Sequence, residues 1–288
     1  MHCWMIYEDT DYNANQDFVS LVTEEGLKRG FYVSVVLSSQ LHAGIHGHPY
    51  TFLHKNPDLV ISRQRNHFIS RRFEKMGIPV FNNANVCEIC NDKRRTYQFL
   101  YGLPMLKSDY MLSSDALTPP DKSAYPLVVK PACGHGGDRV SLVRDEGQWR
   151  IAIEKILPQP AIQQQIASHS GCDLRVYVVF GKIVGSVMRK AQDGFMCNYK
   201  RGGRVSLHNL STREYSLAND VINRFLAADA PLSFAGIDFL YHQGGPVVSE
   251  VEDVVGSRML YQVSDINIAA LFWDGILHTL EREPITQN

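Results

Sequence analysis

Three carboxylates interrupt runs that are otherwise apolar. In "AGIDFLYHQGGPVVSEVEDVVG", residues 235–256, Asp238 lies in one apolar run and Glu250 and Glu252 in the next, with a Gly-Gly turn between them. A hairpin folds such runs against each other, and side chains two residues apart share a face, so Glu250 and Glu252 are expected to point the same way, in line with Val248 and Val254. Burying an isolated carboxylate costs roughly several kcal/mol unless it is paired or bound to a metal. Two readings follow: an edge strand with a wet face or a salt bridge to Arg258, or a site for a hard cation. Three oxygen donors on adjacent strands suit Mg²⁺, which takes a few carboxylates and completes its octahedron with phosphate oxygens and water; Mn²⁺ accepts similar donors.

A second stretch supplies what a phosphate needs. "VVKPACGHGGDRVSLV", residues 128–143, ends an apolar strand on Lys130 and continues into Gly134, Gly136 and Gly137 before another β-run. Glycines let backbone N–H groups converge on an anion, and a nearby lysine adds a point charge. No helix follows the glycines, so neither a Walker A loop nor a dinucleotide fingerprint is present, and a bare hairpin turn has the same composition. For an acidic substrate the local cations are Arg63, Arg72 and the run Lys200, Arg201, Arg204. Arg63 leads because it ends an apolar strand, whereas Arg71 and Arg72, adjacent on a helix, cannot both face one site.

The elements that must hold these groups are of two kinds. Before residue 105, "CWMIYE", "YVSVVLS", "PDLVISR" and "IPVFN" read as strands alternating with amphipathic helices such as "NQDFVSLVTEEGLKRG". That order predicts parallel βαβ units in a small open α/β domain, residues 1–105, which binds ligands at the carboxyl ends of its strands. After it, 106–288 mixes helices with hairpins, one around Phe180-Gly181-Lys182 and one around Gly244-Gly245, and closes with a helix from about Asp265. The fold class is therefore α/β followed by α+β.

Composition narrows the partners. Lys and Arg number 29 against 30 Asp and Glu, a net charge of −1, so nothing in the bulk charge points to nucleic acid or an anionic membrane. No apolar run reaches the ~20 residues of a membrane span and the first residues do not read as a signal peptide, which places the chain in the cytoplasm as an expectation. The 6 cysteines are scattered, as in a reducing compartment. "CEIC", Cys87 to Cys90, has ligand-like spacing but no second half, so a helix with small buried thiols competes with zinc or redox chemistry. His42, His46, His48 and His54 crowd a Gly- and Pro-containing loop with no acid or thiol at a defined spacing.

Taken in order, Lys93 in "NDKRRT", Lys130 in "VVKP", the glycine loop, "QQQIASHSGCDLRVYVV", "RKAQDGFMCNYKRGG", "GIDFL" and "SEVEDVVGSRML" resemble the ATP-grasp ligases, most nearly the RimK-like and LysX-like amino-acid ligases, from about residue 60 to the end. The resemblance implies an ATP-grasp fold with ATP between two α+β subdomains. It places Lys93, Lys130 and Asp173 on the nucleotide side, with the Gln164-Gln165-Ile166 backbone along the adenine edge. It puts Mg²⁺ on Asp238, Glu250 and Glu252, and Arg189, Asn198 and Arg175 at the reacting groups. The reaction it implies activates a carboxylate as an acyl phosphate and joins it to an amine. The partners are then an amino acid such as glutamate and an amine acceptor, whether small molecule, peptide or carrier protein; a homo-oligomer is left open. Phosphoryl transfer, thioester formation and nucleotide binding without turnover are the competing outcomes. The family usually carries Asn where Glu252 stands and often Glu where Gln165 stands. The segment 190–204, bracketed by Gly194, Gly202 and Gly203, reads as a cover over the site.

Overall fold

Four short strands of the first eighty residues pair in parallel: β1 (His2–Tyr7), β2 (Tyr32–Leu37), β3 (Leu59–Arg63) and β4 (Val80–Phe81), in the order β2-β1-β3-β4. The computed structural model describes residues 1–43, 49–50, 55–110, 118–191 and 204–282. β1 is apolar from Cys3 to Tyr7 because both faces are covered there. Cys3, Met5 and Tyr7 enter one core and Trp4 and Ile6 the other. Helices α1 (Gln16–Lys28), α2 (His67–Glu74), α3 (Ala84–Cys90) and α4 (Lys93–Phe99) follow in sequence; the side chains of Asn66, Asn83 and Asp92 cap the last three by accepting from backbone N–H groups. "CEIC" lies in α3, with Cys87 in contact with the Gln64 carbonyl and its thiol pushed up by burial, so its spacing is that of a helix packed on its neighbours.

A second, antiparallel sheet contains β5 (Ser108–Tyr110), β6 (Leu127–Pro131), β7 (Ser141–Val143) and β8 (Ala161–Gln165), ordered β5-β8-β6-β7, with α5 (Glu146–Ile156) on its face. A third holds β9 (His169–Val179), β10 (Lys182–Lys190), β11 (Arg204–Leu207), β12 (Phe234–His242) and β13 (Gly245–Glu252), ordered β11-β10-β9-β12-β13 and antiparallel throughout. Alternation decides what each face carries. Leu174, Val176 and Val178 pack with Leu217, Val221 and Phe225 of α6 (Thr212–Ala227), while Asp173, Arg175 and Tyr177 face the other way. α6 begins on a capping box of Ser211 and Glu214, and Glu214 also holds His208 at 3.0 Å and Tyr241 at 2.5 Å. Two further helices, α7 (Arg258–Val263) and α8 (Ile268–Arg282), end the described chain; α8 starts three residues later than the sequence pattern placed it.

β13 departs from simple alternation at one point. Phe239 pairs with Val248 and Asp238 with Glu250, which leaves Ser249 as an extra residue, a β-bulge. Counting by twos puts Val248 on the face of Glu250. The bulge breaks that count: Val248 and Val251 both enter the core beneath α6, and Glu250 and Glu252 emerge together on the opposite face.

The parallel sheet and the five-stranded sheet share one core. Met5, Tyr7, Ile61 and Phe81 meet Tyr177, Val179, Phe234 and the α8 residues Phe272 and Trp273. At its carboxyl edge the parallel sheet also clamps the segment after β13. Asn82 accepts from the Ser233 and Phe234 N–H groups and donates to the Phe234 carbonyl and, at 3.1 Å, to the Asp253 carbonyl. Arg63 donates to the Val255 carbonyl at 2.7 Å and lies 4.9 Å from the Phe18 ring centroid and 5.3 Å from that of Phe234. Arg63 is thus a buried tie between sheets, which corrects its assignment to substrate: an arginine ending an interior strand meets the next layer of the fold before it meets solvent. Arg63→Leu is expected to lower stability by about 3 kcal/mol, by stranding two carbonyls and uncovering ring faces, while leaving KM values unchanged. Equilibrium unfolding paired with steady-state kinetics checks both halves. Among the described residues no helix is long and apolar enough to cross a membrane.

Candidate functional site

The three sheets enclose a cleft of about 930 Å³. One wall is β6, β8 and the glycine loop, the floor is the polar face of the five-stranded sheet, and the far end is closed by Asp11, Asn15 and Arg65 of the amino-terminal region. Lys93, Lys130, Gly134, Gly136, Gly137, Gln164, Gln165, Ile166, Asp173, Arg175, Arg189, Asp238, Glu250 and Glu252 all line it.

On the wall formed by β6 and β8, Lys130 is the last but one residue of β6 and is nearly inaccessible to solvent. Its ammonium donates to the Tyr97 hydroxyl at 2.9 Å and to Gln164 Oε1 at 3.1 Å, with Glu250 Oε1 3.8 Å away. Burial opposes that charge, but the Tyr97 oxygen and the Glu250 carboxylate outweigh it and hold the ammonium above its ordinary range. Lys93, at the start of α4, donates to the Gly134 carbonyl at 2.7 Å and stands 3.6 Å from Glu250. Gly136 and Gly137 have φ of 67° and 75°, the left-handed region that glycine enters without strain, so the loop turns its backbone into the cleft. At the end of β8 the Gln165 N–H is already given to the Lys107 carbonyl at 2.9 Å, and Ile166 lies just past the last paired residue.

Tyr97 was not legible as a site residue in the sequence. Its hydroxyl accepts from Lys130 and from Gln164 Nε2 at 3.1 Å, and donates to the carbonyl of the bulged Ser249 at 3.1 Å. One oxygen therefore ties α4, β6, β8 and β13. Tyr97→Phe is expected to weaken ATP binding about tenfold, the loss of ~1.4 kcal/mol of hydrogen bonding at a buried lysine, which calorimetric titration of the nucleotide reads directly.

The floor is a row of opposite charges set by strand register. Asp173 stands opposite Arg189, Arg175 opposite Asp238, and Asp238 opposite Glu250. Arg175 grips Asp238 with Nε and Nη2 at 2.7 and 2.6 Å and reaches Glu252 at 2.7 Å. Arg189 holds Asp173 at 2.5 and 2.9 Å and Asp238 at 2.7 Å. Gly236 makes room for this: a Cβ there would meet Val255 at 2.7 Å and the Arg175 side chain at 3.4 Å. Burial works against the Asp238 charge, yet its two guanidinium partners hold the carboxyl well below the usual range. Burial pushes Asp173 up to about 6 against the pull of Arg189, and also raises Glu252 despite Arg175.

Both Asp238 oxygens accept from arginines, and among the described residues no three His, Cys, Asp or Glu side chains are gathered as a metal cage. Among the described residues Glu250 has only the long contacts to Lys93 and Lys130, Glu252 pairs with Arg175 through Oε1, and both reach the cleft from the same face of β13. Two carboxylates with phosphate oxygens and water are an ordinary Mg²⁺ set. The salt bridge from these acids to Arg258 is absent among the described residues; Lys93, Lys130 and Arg175 balance them instead.

Of the remaining candidates, Arg72 lies on α2, outside the cleft lining. Asn198, Lys200 and Arg201, with most of the proposed cover, fall outside the described residues, as do His46, His48 and His54. Two residues past Arg63, Arg65 lines the cleft and pairs with Asp11.

With the geometry in hand, comparison with known proteins agrees. The profile of the RimK-like ATP-grasp domain matches residues 108–276. The chain is 31% identical over 211 residues to a probable alpha-L-glutamate ligase of Methanococcoides burtonii, covering 70% of this chain and 68% of that one. It is 29% identical to the glutamate–LysW ligase ArgX of Sulfurisphaera tokodaii, over 73% of this chain and 76% of that one. Its fold superposes with a TM-score of 0.67 on the ATP-grasp ligase PsnB complexed with a minimal precursor, Mg and ADP, at 16% identity over 97% of this chain and 98% of that one.

Proposed function

This chain belongs to the RimK-like ATP-grasp family, and from that premise we propose that it joins a carboxylate to an amine at the expense of ATP, with an amino acid such as glutamate on one side of the new bond. The observation that carries this reading is the single cleft in which two lysines and a glycine loop face a row of two arginines and four acids. The Mg²⁺-bearing relatives and the carboxylates of Glu250 and Glu252 support a metal-bound nucleotide. When bound, Mg²⁺ neutralises phosphate charge and polarises the γ-phosphoryl group.

Each residue has a task in that chemistry. Ile166, past the paired end of β8, offers its backbone to adenine. Lys93, Lys130 and the loop N–H groups hold the phosphates. A carboxylate is a poor electrophile, so its oxygen takes the γ-phosphoryl group and ADP leaves. The amine lone pair then attacks the acyl carbon, a C–N bond forms, the C–O bond to phosphate breaks, and the amine gives up a proton. Negative charge develops on the acyl oxygen during that attack, and Arg189, fixed by Asp173 and Asp238, is preorganised to stabilise it without moving. A protein nucleophile has no part in this scheme. An amine acceptor on a peptide or carrier protein is supported by the relatives that act on such partners.

The deciding experiment measures ADP and free phosphate across a panel of amino acids, singly and in pairs, with Mg²⁺. Release that needs a particular pair supports the ligase; a phosphorylated product in place of free phosphate, or nucleotide binding with no release under any pair or carrier peptide, refutes it.

A further inference from the structure

Among the described residues, one cation of the cleft is unmatched. Lys93, Lys130, Arg139, Arg175, Arg189 and Arg65 each have a carboxylate, carbonyl or amide partner. Arg258 also lines the cleft and is exposed, but it makes no hydrogen bond or ion pair among the described residues. Its position is fixed from behind. The segment leading to it is clamped by Arg63 and Asn82 at the Val255 and Asp253 carbonyls, and its neighbours Ser257 and Met259 are buried. It therefore lines the cleft from a rigid base.

Resting on the ligase reading, we propose that Arg258 is the specificity residue that selects a substrate carrying a carboxylate not consumed in the reaction. A guanidinium receives a carboxylate through two parallel N–H···O bonds, a geometry a lysine cannot copy. The other charges of the cleft explain why Arg258 and not Arg65 takes that role. Arg65 is answered by the Asp11 carboxylate, and Asp253 accepts a hydrogen bond from the Asn91 amide at 3.0 Å. Among the described cations of the cleft, an incoming anion gains an unpaired partner at Arg258. An uncharged amine of the same size finds nothing there to replace its hydration.

The test is equilibrium binding of L-glutamate, L-glutamine and L-isoglutamine by calorimetry in the full chain, with Mg²⁺ and a non-hydrolysable ATP analogue. Glutamate is expected to bind at least tenfold better than whichever amide has lost the anchored carboxylate. Arg258→Ala is expected to erase that difference, with nucleotide affinity and thermal midpoint unchanged, and Arg258→Lys to restore part of it. No binding by any of the three probes, equal binding of acid and both amides, or a preference that survives Arg258→Ala overturns the proposal. A wild-type enzyme that binds glutamate through Arg258 yet releases no ADP with any acceptor leaves this inference standing and sinks the ligase reading instead.

Discussion

Glu250→Gln is expected to abolish most ATP-dependent amide formation, by ~10²-fold or more in kcat, while the protein remains folded. Glu250 stands between two functions, at 3.6 Å from Lys93 and 3.8 Å from Lys130 and with oxygens open to the cleft. The amide keeps the shape but removes a charge where a divalent cation and a triphosphate must be balanced, an effect on the scale of losing a preorganised transition-state group. Stability should change little, because Glu250 is partly exposed and its ion pairs are long. The check is ADP release at saturating substrate over a range of Mg²⁺ concentrations. A defect that high Mg²⁺ partly repairs identifies a metal ligand, and wild-type turnover by the variant would remove Glu250 from the mechanism.

Asp238→Asn carries the second large effect, and here the fold itself is at stake. Removing that charge leaves Arg175 and Arg189 facing each other in a buried layer, and breaking a buried ion pair from one side costs about 3–5 kcal/mol. Denaturant unfolding at neutral pH should show that loss along with inactivity. The pH dependence has a definite sign. An acid held below its usual range stabilises the fold above its unfolded pKa, and the stabilisation is lost as pH falls through the lower folded value. Wild type should therefore lose this increment only in strong acid, while Asp238→Asn lacks it at every pH. Equal midpoints for the two proteins at pH 7 would contradict the account.

Much of this could be read from residue order. Period two and glycine turns announced the strands and hairpins; Lys130, the glycines and the acids were singled out by their residue types, whereas Lys93 entered only with the family resemblance. Their common cleft was legible only as a resemblance, because it is assembled by tertiary packing. The failures have physical causes. Arg63 and Arg65 are both arginines at one strand end, and which of them faces the cleft depends on a layer contributed two hundred residues later. That two arginines from neighbouring strands grip Asp238 could not be read from composition, because strand register brings them together. Tyr97 had no motif, only a position on α4 that brings its hydroxyl to four elements.

The bulge at Ser249 gives the acidic strand a parity of its own. Ser249 is the residue by which counting in twos fails there, and the bulge absorbs it whatever its side chain. Deleting Ser249 would join Val248 directly to Glu250, so that strict alternation alone would keep Val248 and Val251 in the core and Glu250 and Glu252 on the opposite face. What the deletion removes is the carbonyl that accepts from the Tyr97 hydroxyl, a backbone group that every substitution at 249 retains.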